Sequence, residues 1–359
     1  MKIVVDCRFI DSSGIGSYLR GILPFFLKTN HDFILLGNVE KLSAFSSDKN
    51  IIECNIKPFS FKELFFFPKK ITKQINKADL FYSPFFNIPP VSIPVFTTIH
   101  DIVFPDMPEL TTKSGLAVRM WFYRKAYRKS EKIFTVSEFS KSRIEHYLGK
   151  VKPIVVTHSA VRSIFFEYKA KFSNIQKKEN IVFVGNIKKH KGLDCLLDAY
   201  FLARKEGLYH KLVIIGSKDN FRTFDNSILK KIDAQGSENV IFTGFISDEK
   251  LMEFLSEASL LVQPSIYEGF GLPPLEAMIL GTQVLISDIP VLKEIYDGFP
   301  VTFFQAGNKN DLKNKLIKIL SNPHPVLSLP QNLEKKYNFE KTASVILNNI
   351  TILKGTTND

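Results

Sequence analysis

Short apolar runs alternate with amphipathic helical stretches along most of this 359-residue chain, and that alternation restricts the fold more than any other feature. Candidate strands fall at Lys2–Cys7, Phe33–Gly37, Ile51–Ile56, Leu80–Ser83, Val95–His100 and Ile133–Val136. After a gap the pattern restarts at Ile154–Thr157, Ile181–Gly185, Leu212–Gly216, Val240–Thr243, Leu260–Gln263 and Val284–Ser287. Between strands, residues such as Leu193, Leu196, Leu197, Tyr200 and Phe201 recur at the three- and four-residue spacing of one helix face. Strands alternating with helices build parallel βαβ units, and nearly continuous apolar runs suit strands covered on both faces. Two such series predict two doubly wound α/β domains. The junction belongs between Ser159 and Asn180, where strand signal is weak and KFSNIQKKEN is polar.

Composition removes several alternatives. With 45% hydrophobic and 23% charged residues, the chain is not mainly disordered, collagenous or a disulfide scaffold. Lys and Arg number 48 against 36 Asp and Glu, a net +12 that attracts polyanions without choosing among nucleic acid, anionic lipid and phosphorylated small molecules. Three cysteines, Cys7, Cys54 and Cys195, sit in or beside apolar runs and suggest a reducing compartment. No C-x-x-C or H-E-x-x-H spacing is present. The N-terminal apolar run is too short for a signal peptide, and no run approaches the ~20 residues of a spanning helix. The expectation is a cytoplasmic protein.

The strongest chemical signal is Pro264-Ser-Ile-Tyr-Glu268-Gly269-Phe270-Gly271-Leu272-Pro-Pro-Leu-Glu276-Ala277, between a strand and a helix. Glycines permit close backbone approach, proline suits the first helical position, and a helix N-terminus attracts a diphosphate. Glu268 and Glu276 bracket this turn. Carboxylates there repel phosphate unless neighbouring hydroxyls donate to them, and a nucleotide sugar has hydroxyls on both sides of its diphosphate. Taken alone, the stretch reads equally as an ordinary Gly/Pro-rich loop.

The Glu-x7-Glu stretch resembles the signature of retaining glycosyltransferases of the family-four type, which have the GT-B fold: two Rossmann-like doubly wound parallel-sheet domains facing across a cleft. Three further segments agree in order. IVFVGNIKKHKGLDCLLDAY (Ile181–Tyr200) is similar to the family's strand–Gly–loop–Lys–Gly–helix segment. KIFTVSEFSKSRIEHYL resembles its late first-domain strand and helix, and Asp6 to Gly21, with Ser13-Gly14-Ile15-Gly16, its N-terminal Gly-rich loop. The resemblance implies an acceptor-binding domain over 1–160, a nucleotide-sugar-binding domain over 161–339, and a C-terminal helix at about 340–355 packing back on the first. It assigns Glu268 to the donor sugar hydroxyls, Glu276 to the ribose hydroxyls and Lys191 to the departing phosphates. Gly269, Phe270, Gly271 and Leu272 would line the diphosphate, with Gly14 and Gly16 beside the phosphate or the acceptor; a lone glycine pair after a strand is by itself weak evidence. Many members carry an arginine where this chain has Asn186, so neutralisation would fall on Lys191, aided by Lys188 or His190. His100, at a strand end, would lie near the reacting centre, with Asp101 orienting it or meeting the acceptor. A lone histidine at a strand end is otherwise more often a packed residue.

The same resemblance implies a metal-independent, cofactor-free hexosyltransferase in surface polysaccharide synthesis, using front-face chemistry. It would move a sugar from a nucleotide sugar to a glycan or lipid-linked acceptor, and the Gly185-Asn186-Ile187-Lys188 variant points weakly to GDP-mannose. Two basic-aromatic segments, Phe59–Lys77 and Arg119–Lys129, suit an anionic membrane surface as a peripheral contact or, more blandly, core helices with solvated basic faces. A GT-B nucleotide-sugar epimerase and a basic nucleic-acid-binding protein are the alternatives; no helix-turn-helix, zinc-finger or RNA-recognition signature supports the latter.

Overall fold

A computed structural model describes residues 1–12, 14–47, 50–172, 175–216, 231–234, 237–322, 329–331 and 333–351. Ser13 of the N-terminal glycine loop, and Ser173 and Asn174 of the polar junction, lie outside the described residues. The chain divides into two units, Met1–Ala160 with Lys335–Asp359, and Val161–Glu334.

The first unit is built on strands β1 (Lys2–Asp6), β2 (Asp32–Gly37), β3 (Ile51–Glu53), β4 (Leu80–Ser83), β5 (Val95–Thr98), β6 (Ser130–Thr135) and β7 (Ile154–Val156). They form one parallel sheet in the order β3-β2-β1-β4-β5-β6-β7. The chain reverses direction across the sheet between β1 and β4, where Ile3 lies beside Leu80 and Val4 beside Phe81. One face is covered by a core that includes Leu19, Ile22, Leu23 and Phe26 of the helix Gly14–Leu27, together with Phe339, Ala343, Ile346 and Ile350 of the helix Phe339–Thr351. These two helices approach so closely that a Cβ on Gly21 would meet the Phe339 ring at 2.5 Å. The other face carries Phe122, Tyr123, Ala126 and Tyr127 of the helix Lys113–Lys129.

The second unit repeats the plan with β8 (Lys178–Val184), β9 (Lys211–Ile215), β10 (Val240–Gly244), β11 (Ala258–Gln263), β12 (Gln283–Ser287) and β13 (Thr302–Phe304). All are parallel, in the order β10-β9-β8-β11-β12-β13, and the reversal falls between β8 and β11. Every residue of β11 is buried, as its apolar run requires. The helix Leu193–Lys205 buries Leu193, Leu196, Leu197, Tyr200 and Phe201, the face read from its spacing. Strand β13 has no counterpart in the sequence reading. Its three residues sit at the sheet edge, too short a run to show periodicity.

Open α/β sheets bind ligands outside the carboxyl ends of their strands, at the point of reversal. In this chain those points are the loops after β1 and β4 in one unit and after β8 and β11 in the other.

Candidate functional site

In the second unit, the loops leaving β8 and β11 lock onto each other. The His190 carbonyl accepts hydrogen bonds from the N–H of Ile266 (2.8 Å) and of Tyr267 (3.4 Å). Gly192 has φ +70°, and a Cβ there would lie 1.9 Å from the Pro264 carbonyl oxygen. Glycine is needed at Gly192 for conformation and space together. This docking delivers Lys191 to Glu268. The Lys191 ammonium donates to both Glu268 carboxylate oxygens, each at 2.7 Å.

Glu268 is buried. Burial alone raises its pKa, but the Lys191 charge and hydrogen bond, with the Ser265 hydroxyl, outweigh it and hold the carboxyl below its ordinary value. Glu268 and Lys191 thus make a preformed salt bridge at the sheet reversal. His190 beside them is lowered to about 4 by burial and by the Lys191 charge, so its ring is neutral. Asn186, the next residue but one after β8, lies in the same loop.

The turn Gly269–Leu272 leads into the helix Pro273–Ile279. Gly271 takes φ +86°, whereas Phe270 is buried in the turn, so its ring is packing. The helix start differs from the sequence expectation of free N–H donors. Pro273 and Pro274 have none, and the Leu275 N–H is taken by the Tyr296 hydroxyl at 3.1 Å, which itself donates to the Gly271 carbonyl. Seven residues also make a small dipole.

Glu276 follows in the same helix. Its carboxyl makes no hydrogen bond among the described residues. Burial pushes its pKa up to about 7, opposed by the Arg162 charge and assisted by Asp248. Arg162 does not pair with it directly, because Asp248 grips the guanidinium at 2.5 and 2.7 Å. Glu276 is thus a carboxyl without a fixed partner, suited to accept from hydroxyls.

The first unit holds the other candidates. His100, two residues past β5, bonds through Nε2 to the Pro84 carbonyl at 2.9 Å and meets the Tyr18 ring edge-on at 4.7 Å. A carbonyl only accepts, so Nε2 carries the hydrogen and Nδ1 the lone pair. Burial lowers this ring to about 4, leaving it neutral. Asp101 accepts from the Val103 N–H at 3.2 Å. Gly16 has a packing reason, since a Cβ would come within 2.4 Å of the Ile10 carbonyl oxygen; Gly14 has open space around it.

Sequence reasoning missed four residues of the second-unit site. Gln263 and Ser265 bond Glu268 directly, and Arg162 and Asp248 flank Glu276. A glutamine ending an apolar strand was a usable signal for the first; nothing in sequence links Arg162 to Asp248, 86 residues apart. It also missed Arg8, buried after β1, which donates to Asp6 (2.9 and 2.7 Å) and to Glu63 (2.5 Å). Glu63 further accepts from the Phe59 N–H and the Asn87 amide, each at 2.6 Å.

That network anchors the first basic-aromatic segment, which is not one helix. It splits at Phe67-Pro68 into Phe61–Phe66 and Lys69–Ile75. Phe61, Phe65 and Phe66 are 69%, 65% and 65% exposed, and Trp121 of the second segment is 51% exposed. Phe67 instead packs with the core beneath the Arg8 guanidinium, and Phe59 lies edge-on against Phe122 at 4.9 Å. No helix among the described residues is long and apolar enough to cross a membrane.

The pattern of this second unit is found in known proteins. Residues 165–338 match the family described as glycosyl transferases group 1. The match takes in nearly all of the second unit. An uncharacterised glycosyltransferase of Methanocaldococcus jannaschii is 27% identical over 255 residues, 70% of this chain and 66% of that protein. The O-antigen chain mannosyltransferase B of Escherichia coli is 28% identical over 61% of this chain and 59% of its own length. The chain therefore spans less than two thirds of these relatives. The Anabaena protein Alr3699/HepE, solved with UDP and glucose, superposes with a TM-score of 0.71 over 98% of this chain and all of its own, at 15% identity. That likeness shows the fold, which is GT-B: two doubly wound parallel α/β units in one chain. The matched residues include Lys191, Glu268 and Glu276, whereas Gly14, Gly16, His100 and Asp101 fall in the other unit.

Proposed function

We propose that the protein is a retaining glycosyltransferase that moves a hexosyl group from a nucleotide sugar to a glycan or lipid-linked acceptor. The observation that carries this reading is the Lys191–Glu268 ion pair at the sheet reversal of a group 1 domain. In this reading Glu268 accepts from a hydroxyl of the sugar, and Glu276 accepts from the ribose. Lys191 shares its charge with the diphosphate as the anomeric bond breaks, an electrostatic stabilisation of the developing charge. The acceptor hydroxyl approaches on the face the diphosphate leaves and gives its proton to the departing phosphate oxygen, so the anomeric configuration is kept and no metal takes part. His100, neutral with Nδ1 open to accept, and Asp101 belong to the acceptor side. The O-antigen mannosyltransferase among the relatives supports surface polysaccharide synthesis and makes GDP-mannose the first donor to try.

The acceptor reading includes a membrane. Phe59–Lys77 carries five lysines and one acid, Glu63, which is buried against Arg8; Arg119–Lys129 carries five basic residues and no acid. With Phe61, Phe65, Phe66 and Trp121 exposed among these cations, the surface suits anionic headgroups, each basic residue contributing about 1 kcal/mol near the surface.

A thermal-shift panel of nucleotide sugars tests the donor reading, because a bound ligand stabilises in proportion to RT ln(1 + [L]/Kd). A rise with GDP-mannose or UDP-glucose that disappears in Glu276→Ala supports it. No shift with any nucleotide sugar, joined to salt-sensitive binding of nucleic acid, sinks it.

A further inference from the structure

The two oxygens of Glu268 have different surroundings. Oε1 accepts from Lys191 Nζ (2.7 Å), Gln263 Nε2 (2.6 Å) and the Ser265 hydroxyl (2.7 Å). Among the described residues, Oε2 accepts from Lys191 alone (2.7 Å). The hydrogens account for this arrangement. Gln263 Nε2 has two, one for Ser265 Oγ at 2.8 Å and one for Glu268, which leaves the serine hydrogen for Oε1. Turning the amide over would set its oxygen against the carboxylate. Oε1 is therefore saturated, while Oε2 keeps room to accept.

Gln263 is fully buried, and its own Oε1 has no partner among the described residues. A buried acceptor left unpaired lowers stability, and an apolar side chain would avoid the loss. Nothing in the packing at that end of β11 calls for an amide, since Leu260, Leu261 and Val262 before it and Ile286 paired with it are apolar. What the amide does is hold Glu268.

We propose that Gln263 and Ser265 are positioning residues that occupy Oε1 of Glu268, so that the carboxylate meets a donor hydroxyl through Oε2 alone. The inference rests on the donor-binding reading of Glu268. A carboxylate with both oxygens open grips two adjacent hydroxyls at once; one fixed in this way reads a single hydroxyl, in one orientation. Freed from Oε1, the carboxylate rotates, and the sugar loses its register with the departing diphosphate.

The test compares wild type with Ser265→Ala and Gln263→Met in two measurements. With GDP-mannose and UDP-glucose as donors, each variant should lower kcat roughly tenfold or more, the size expected for a hydrogen bond to a charged group, while KM for the nucleotide changes little. Gln263→Met should do so with its thermal midpoint held, because it also removes the orphaned acceptor. In the donor-free protein, the carboxyl carbon of Glu268, assigned in NMR by its absence from Glu268→Gln, should titrate at higher pH in both variants than in wild type. An unchanged titration in both variants overturns the proposal, as does unchanged kcat per folded molecule. If wild type turns over neither donor, the functional reading fails separately, and the donor-free titration still decides whether these two side chains hold the carboxylate.

Discussion

Replacing Glu276 by glutamine should stabilise the protein, and mostly at the alkaline end. The Glu276 carboxyl is lifted from 4.5 to about 7 by burial, against the pull of Arg162 and with the push of Asp248. Between those two values the native state holds a proton that the unfolded chain has released, so stability falls as pH rises from about 4.5 to 7 and is level above. A difference of 2.5 pKa units corresponds to roughly 3 kcal/mol at 1.36 kcal/mol each, and the partial exposure of the side chain reduces this to about 1–3 kcal/mol. Glutamine keeps the shape and carries no charge to desolvate. Urea unfolding of wild type and Glu276→Gln at pH 5 and pH 8, at equal ionic strength, measures the effect. The variant should exceed wild type only slightly at pH 5, by roughly a quarter of the gain it shows at pH 8. An equal difference at both pH values would refute the reasoning, since it would mean that the carboxyl titrates normally and the gain has another source.

Lys191→Ala should slow transfer 10²-fold or more, the scale of losing one electrostatic stabiliser of a departing group. Wild-type transfer should be unaffected by EDTA; a steady-state requirement for Mg²⁺ or Mn²⁺ would contradict the proposed mechanism. Gly192→Ala should cost stability through both its φ of +70° and the contact with the Pro264 carbonyl, and should loosen the Lys191–Glu268 pair as the two loops separate. Lower denaturant midpoints together with weaker donor binding would show this, and an unchanged midpoint would not fit. Replacing Phe61, Phe65 and Phe66 with serine should abolish sedimentation with anionic liposomes while leaving the thermal midpoint nearly unchanged, because these rings are exposed; a triple variant that unfolds would place them in the core. Wild-type sedimentation should weaken with salt, as attraction decays within a Debye length of about 8 Å at physiological ionic strength.

The doubly wound units were legible because buried parallel strands leave an apolar run that sequence cannot disguise, as ASLLVQ in β11 does. Strand ends were less legible. The apolar run continues through Ile99, while the paired strand β5 ends at Thr98, two residues before His100. Glu268 and Lys191 stood out through glycines and prolines, whose local demands are visible in sequence. Their supporting contacts did not. The pairing of Lys191 with Glu268 depends on two loops 77 residues apart meeting at Gly192 and Pro264, which is a property of the strand order. The basic-aromatic segments show the opposite error. Aromatic composition alone grouped Phe59, Phe65, Phe66 and Phe67, yet Phe67 turns inward, because Pro68 ends the helix and redirects the chain.

The most direct test of the central claim is release of nucleoside diphosphate from a nucleotide sugar, followed for wild type, Glu268→Gln and Lys191→Ala side by side. GDP-mannose and UDP-glucose serve as donors, with membrane extract supplying acceptor. Wild type should release diphosphate with one of them and form a product of unchanged anomeric configuration by NMR. Each variant should fall by 10²-fold or more with its fold intact by circular dichroism. Wild-type release that persists undiminished in both variants would contradict the assignment of this ion pair to the reaction.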